Sequence, residues 1–297
     1  MPAAGDAEGA RVPEGLPPVV DAHVHLFPEG VLRALWRWFE AHAWPVRYPL
    51  PTPAIVDFLL SRGVDHLVAL HYAHKPGMAR ALNHFAAQVV REQPRVTAVA
   101  TVLPGEEGAL DILREGWALG LHGVKLHCHV QAFAPDDAPH LWDVYALCQE
   151  RGQPLVMHAG REPASPHYPV DPHQLCSAER VERVLEAFPR LKLCVPHLGA
   201  DEFDAYLRLL ERHDNLWLDT TMAVAGYFPG PVPLRLLQAR PERILYGTDF
   251  PHLPYAWDRE LKVLAGLGLK EEHLALLLGG TARALFSLPE SPARRPG

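Results

Sequence analysis

The stretch V-V-D-A-H-V-H at Val19–His25 is a short apolar run that ends on two histidines one residue apart. On a strand, residues i and i+2 point to one face, so His23 and His25 share a side. Taken alone, an H-x-H pairs a structural histidine with a chance neighbour more often than it marks a site. Outward from it, however, the same pattern recurs. Apolar strand-like runs occupy Asp65–His71, Val96–Val102, Gly123–His127, Pro154–His158, Leu191–His197, Asn215–Thr220 and Arg243–Asp249. Most are β-branched or apolar throughout, as expected of strands buried on both faces. Helical periodicity separates them at Met78–Arg91, Leu110–Leu119, Leu141–Glu150, Ala178–Phe188, Phe203–Arg212 and Trp257–Ala265. Eight strands alternating with helices predict an α/β chain, a (β/α)8 TIM-type barrel. An open doubly wound sheet would carry a Gly-rich phosphate loop after its first strand, and this chain has none.

Bulk composition agrees. The 297 residues suit one barrel, which takes about 250 plus insertions, and 48% hydrophobic with 21% charged residues is ordinary for a globular chain. A formal charge of -7 with no Lys/Arg run disfavours a nucleic-acid partner. No apolar stretch reaches the ~18 residues a membrane span needs. Residues 1–18 lack an apolar signal segment and are expected to be a disordered leader; the barrel is expected over 19–288, with a tail at 289–297. Cys128, Cys148, Cys176 and Cys194 form no C-x-x-C pair and are expected to be buried free thiols of a cytoplasmic protein; Cys128 falls near the proposed site. Two long connections, Phe27–Leu60 and Gly160–Leu175, are candidate pocket walls, with surface decoration or an oligomer contact as the alternative for the first. A homo-oligomer is compatible with this.

The chemistry concentrates at the strand ends. His158 closes V-M-H-A-G, His197 closes V-P-H-L-G and Asp249 closes Y-G-T-D-F-P. Such positions converge at the C-terminal face of a barrel. Buried polar groups cost about 1–3 kcal/mol each if unsatisfied, and one bound cation satisfies several together. The motifs D-A-H-V-H-L-F-P, G-V-K-L-H, V-M-H-A-G, V-P-H-L-G and Y-G-T-D-F-P, with a closing G-G-T-A-R-A-L-F, resemble the amidohydrolase superfamily. The likeness is to its branch of metal-dependent hydrolases and aminocarboxymuconate-semialdehyde-type decarboxylases, and it runs from about Val19 to Phe286. Thr281 stands where that family usually has Asn, and either residue can cap a helix.

The resemblance implies that His23, His25, His158 and Asp249 hold a divalent metal, with zinc the first expectation and manganese an alternative. It also implies that Asp249 and His197 act in catalysis. A divalent ion lowers the pKa of its water to about 7; Asp249 can relay that water's proton and His197 can polarise the reacting oxygen. Lys125, within G-V-K-L-H, is read as an unmodified ammonium that binds a substrate carboxylate or pairs with Asp249 or Glu162. Carboxylated, it would bridge two ions; unmodified, one ion is expected. His127, His129, Arg161 and His252 are weaker candidates for substrate contact, as are His71 and His74. The Trp36/Trp38 pair is expected to pack a helix. The leading expectation is hydrolysis of a small-molecule amide, ester or lactone-like bond. Non-oxidative decarboxylation of a small carboxylic acid on the same platform is the second, and an inactive metabolite-binding barrel the third.

Overall fold

The structure is a computed structural model that describes residues 5–137, 140–228 and 230–290. Nine parallel strand segments follow one another in sequence: β1 (Val20–His25), β2 (His66–Leu70), β3 (Val96–Ala98), β4 (Ala100–Thr101), β5 (Val124–His127), β6 (Leu155–His158), β7 (Leu193–Val195), β8 (Leu216–Asp219) and β9 (Ile244–Leu245). β3 and β4 are one barrel strand interrupted at Val99, whose N–H turns to the Ala69 carbonyl at 3.1 Å. The eight strands expected from the sequence are therefore all present, each paired with its sequence neighbour. The ring closes where Ala22 N–H donates to Tyr246 O at 2.9 Å and His25 N–H to Phe250 O at 2.8 Å, with Val24 bridging Phe250 in parallel. The chain is a TIM barrel.

Two strands end earlier than the sequence suggests, for visible reasons. In β7, Pro196 has no N–H to continue the ladder. After β9 the backbone crosses close over β1: a Cβ at Gly247 would lie 2.6 Å from the His23 Cβ and 2.5 Å from Thr221 Oγ1. Only glycine permits that approach, which carries Asp249 to the histidines.

The polar, proline-rich start of the chain departs from expectation. Residues 6–16 are held on the barrel instead of forming a disordered leader. Val12 N–H donates to Arg62 O at 2.8 Å, Leu16 is buried, and Trp257 Nε1–H donates to Gly9 O at 3.1 Å. Gly9 N–H also supplies buried Asp258 with a donor at 2.9 Å. Composition does not show these partners: besides its backbone, the segment is held by Asp6, which accepts from Arg259, and by Glu8, which accepts from Arg47 and Tyr48. Residues 1–4 and 291–297 of the expected leader and tail lie outside the described residues. Thr281 caps nothing: the helical path runs through Leu276–Gly280 into Thr281–Phe286, and its hydroxyl donates to Pro241 O at 3.2 Å. All four cysteines are buried and free. Among the described residues no helix is long and apolar enough to cross a membrane.

The long Phe27–Leu60 connection holds two helices. Thr52–Ser61 buries Ile55, Val56 and Leu59 against the barrel. Glu29–His42 buries only Leu32 and stands over the strand ends.

Candidate active site

β1, β2, β5, β6, β7 and β8 end on one face, around a cavity of 510 Å³ lined by His25, Lys125, His127, His158, His197, Asp249 and His252. Its upper wall is the helix Glu29–His42, through Val31, Leu35, Trp38 and Phe39, together with Tyr168 and Pro169 of the Gly160–Leu175 loop. Both long connections therefore form the pocket. They meet where Trp38 stacks on Tyr168, with centroids 5.3 Å apart and planes at 29°. Trp38 is thus a pocket wall and not helix packing alone.

Hydrogen bonds fix which nitrogen of each histidine faces inward. His23 Nδ1 lies 2.8 Å from Asp219 Oδ2, and His25 Nδ1 lies 2.9 Å from the Leu70 carbonyl. Carboxylate and carbonyl oxygens only accept, so both Nδ1 atoms donate and the Nε2 atoms remain. Those Nε2 atoms face one oxygen, Asp249 Oδ1, at 3.4 Å from His23 and 2.8 Å from His25. One ligand atom from each of His23, His25 and Asp249 lies within 4.8 Å of the others. Two ring nitrogens and a carboxylate oxygen repel one another unless a proton or a cation stands between them. Burial, together with the Lys125 charge, pushes His23 down to about 4, so a proton is disfavoured there near neutrality. The trio fits a divalent ion.

The remaining histidines form a relay. His197 Nδ1–H donates to Thr221 O at 2.8 Å, leaving its Nε2 to accept from His158 Nδ1 at 3.2 Å. Burial holds both rings well toward neutrality. His158 Nε2 is then a buried acceptor with no partner among the described residues. His158, expected as the fourth donor, is not part of the close His23–His25–Asp249 group and belongs to a second one with His127 and His129.

Burial alone would raise Asp249, but the His25 hydrogen bond and the nearby histidines hold it well below the usual carboxylate range. It sits at φ +75°, and His197 at +59°, in the left-handed region that costs about 1–3 kcal/mol for ordinary residues. Asp249 N–H donates to His23 O at 2.9 Å and His197 N–H to Asp219 Oδ1 at 3.0 Å, which holds both in place.

Asp219 was not singled out by sequence reasoning, although it too ends an apolar strand. Wholly buried, it orients His23 through one oxygen and His197 through the other. Burial would raise it, but His23 outweighs that and brings it down to about 2. Asp21 is similarly hidden in V-V-D-A-H-V-H. It accepts from Thr248 Oγ1 at 2.6 Å and ties β1 to the turn before Asp249; burial pushes it up to about 7.

Lys125 is completely buried, lines the cavity and has no partner for Nζ among the described residues, so the expected pairing with Asp249 or Glu162 does not form. Burial lowers it to about 8, against the pull of Asp219 and Asp249. His252 lines the cavity with its ring stacked on Phe39 at 5.0 Å. His74 also lines it, but His71 is turned away and bonds Asn83 at 3.0 Å. Arg161 does not reach the cavity: Asp201 at 2.9 Å and Glu202 at 3.4 Å hold it outside. His129 lies behind His127 and His158, its Nε2–H donating to Gly160 O at 2.8 Å. Burial, with the hydrogen bond to Cys176, raises the Cys128 thiol well above its ordinary value.

A family model described as amidohydrolase matches residues 20–288, the whole barrel. The chain belongs to the amidohydrolase family. No functionally curated protein matches this amidohydrolase. Solved structures share its fold: an uncharacterized TIM-barrel protein from Bordetella bronchiseptica matches with a TM-score of 0.69 and 20% identity, over 91% of this chain and 99% of the other. A 5-carboxyvanillate decarboxylase from Sphingomonas paucimobilis matches with a TM-score of 0.64 and 19% identity, over 92% and 99%. A dihydroxybenzoic acid decarboxylase from Polaromonas, with bound manganese and the inhibitor 2-nitroresorcinol, matches with a TM-score of 0.67 and 16% identity, over 92% and 98%.

Proposed function

We propose that this amidohydrolase is a divalent-metal-dependent, non-oxidative decarboxylase of a small aromatic carboxylic acid. The observation that carries the reading is Lys125, a buried ammonium with no hydrogen-bond partner among the described residues, in a cavity walled by Trp38, Phe39, Tyr72 and Tyr168 beside the His23–His25–Asp249 trio. A planar acid fits an aromatic slot, and its carboxylate supplies the anion that Lys125 lacks. The likeness to decarboxylases, one with manganese and an aromatic inhibitor, supports the same reading.

His23, His25 and Asp249 would hold the ion, manganese or zinc. Bound there, it supplies Lewis acidity that draws an anionic substrate and spreads its charge. Asp219 keeps His23 oriented, as outer hydrogen bonds do around metal-ligating histidines. Lys125 positions the carboxylate. Trp38 and Tyr168 cover the ring and exclude water. In the reaction the C–C bond to the carboxylate breaks, CO2 leaves, and a proton takes its place on the ring carbon. Asp249, held ionised, would take that proton from a hydroxyl of the substrate ring and return it to carbon, and the resulting phenolate regains a proton from solvent on release. His197 faces the same space through the His158 relay.

Hydrolysis of an ester, amide or lactone-like bond is the second reading, favoured by the same carboxylate base. The test is a panel of hydroxybenzoic acids and of small esters and lactones, assayed with Mn²⁺ or Zn²⁺. CO2 release from an aromatic acid, lost in His23→Ala, is the expected result. Metal-dependent ester or lactone cleavage without CO2 from any acid would overturn the decarboxylase reading.

A further inference from the structure

The helix Arg259–Gly266 grips the turn that follows β8 at two points. Glu260 Oε1 accepts from Met222 N–H at 2.8 Å, and Arg259 Nε–H donates to Ala225 O at 2.8 Å. Glu260 is buried and does not line the cavity. Its Oε1 also accepts from the Tyr255 hydroxyl at 3.3 Å, and its Oε2 has no partner among the described residues. Burial raises its carboxyl well above the usual carboxylate range, so it serves as a neutral acceptor.

Met222 N–H and the Thr221 carbonyl belong to one peptide unit. A trans peptide is planar, and these two groups point opposite ways from it. On the far side that carbonyl accepts from His197 Nδ1–H at 2.8 Å. Glu260 and His197 therefore hold the two edges of one rigid plate. Thr221 O also takes Ala223 N–H at 2.7 Å, closing a tight turn with Met222 at its centre at φ +58°. An ordinary side chain is disfavoured in that left-handed region. Turning the plate over would return Met222 to a negative φ, but it would present an N–H to His197 in place of the carbonyl. The imidazole would then accept through Nδ1 and carry its proton on Nε2.

We infer that Glu260 is a positioning residue for His197: by anchoring the Thr221–Met222 peptide it selects the tautomer in which Nδ1 carries the proton and Nε2 is bare. The choice passes down the relay. A bare His197 Nε2 accepts from His158 Nδ1–H at 3.2 Å and leaves His158 Nε2 as the acceptor. A protonated His197 Nε2 would instead donate to His158 Nδ1 and place the His158 proton on Nε2. A carboxyl group outside the cavity thus sets which histidine nitrogens are bare within the site. The inference does not depend on which bond the enzyme breaks.

The test is solution NMR of the full chain loaded with diamagnetic Zn²⁺ and labelled with ¹⁵N in its histidine rings. Protonated and bare nitrogens of a neutral imidazole resonate far apart, and the His197 signals are those missing from His197→Asn. In the wild type Nδ1 is expected to be of the protonated kind, with its proton protected from exchange. Glu260→Gln keeps an uncharged acceptor oxygen at the same reach and should preserve that pattern. Glu260→Leu fills the space but removes the acceptor; it should shift Nδ1 toward the bare kind and lose the protected proton. Tyr255→Phe removes the other donor to Glu260 without touching the peptide, and should leave His197 as in the wild type. If Glu260→Leu does not melt cooperatively, Glu260→Asp, which withdraws the oxygen by one methylene, is read in its place. An unchanged His197 in the folded Leu or Asp variant, a lost pattern in Glu260→Gln, or a shift in Tyr255→Phe as large as in Glu260→Leu would each overturn the inference.

Discussion

His23 and Asp219 are nearly two hundred residues apart in sequence, yet their 2.8 Å hydrogen bond decides which nitrogen His23 turns toward the site. Asp219→Asn keeps the shape but weakens the acceptor and its charge. Manganese affinity measured by titration calorimetry is expected to fall about 10–100-fold with the fold intact; unchanged affinity would show that Asp219 only packs. Lys125 makes the opposite trade. Its ammonium is buried with no hydrogen-bond partner among the described residues, and burial brings it from the ordinary 10.5 to about 8 against the pull of Asp219 and Asp249. Lys125→Met removes that cost, so the variant is expected to be more stable by about 1–3 kcal/mol at pH 7, with Tm higher by a few degrees and activity lost. In the wild type the unfolded chain binds the extra proton between about pH 8 and 10.5, so its own stability rises across that window and the gain from the variant shrinks. A destabilised Lys125→Met would mean that the ammonium is paired in solution.

Legibility at this scale followed chemistry type. His23, His25 and Asp249 stand out because ligand-type residues end apolar runs, and the structure brings them together. Asp219 carries the same signal, but a lone carboxylate at the end of a strand gives no motif to notice. Arg161 was misleading because its partners, Asp201 and Glu202, lie some forty residues onward on another loop, and no local pattern announces them.

Among the elements, the strands read well because fully buried strands are uninterrupted apolar runs. The helix Glu29–His42 did not, because its surroundings are rich in proline and tryptophan and suggest an irregular loop. Its aromatic residues cover a cavity instead of filling a core, and a heptad pattern cannot tell those uses apart. The contact of that helix with the Gly160–Leu175 loop rests on Trp38 and Tyr168. Truncation of either to alanine removes an aromatic wall without opening the barrel core. The Michaelis constant for an aromatic acid is expected to rise about tenfold, in line with roughly 1–1.5 kcal/mol for such a contact, while Tm moves little. An unchanged Michaelis constant would place the substrate elsewhere.

The molecule as a whole buries an unusual number of neutral histidines. Burial holds His23, His66 and His71 at about 4 and His252 at about 3, against an ordinary 6.5. Their folded values are depressed, so between about pH 4 and 6.5 the unfolded chain binds protons that the native one refuses. Asp21 works against this, since its folded value of about 7 means that it is protonated in the native state and ionised when unfolded. His74, His127, His158 and His197 are lowered as well, and only Glu260 joins Asp21 on the opposing side, so unfolding takes up protons near pH 5 and stability falls as pH drops from 6.5. Urea unfolding of the metal-free protein at pH 7, 6 and 5 is expected to show a midpoint that drops continuously; a level midpoint would mean that these rings are solvated. The fold was legible at this scale because barrel topology needs only strand order, and here each strand pairs with its neighbour in sequence.

All of the chemistry assigned to this amidohydrolase requires a cation among His23 Nε2, His25 Nε2 and Asp249 Oδ1. Anomalous diffraction at the manganese edge from a Mn²⁺-loaded crystal measures that directly. A peak within bonding distance of all three atoms is the predicted result. A map with no peak at that position, at a loading that saturates the protein in solution, would contradict it.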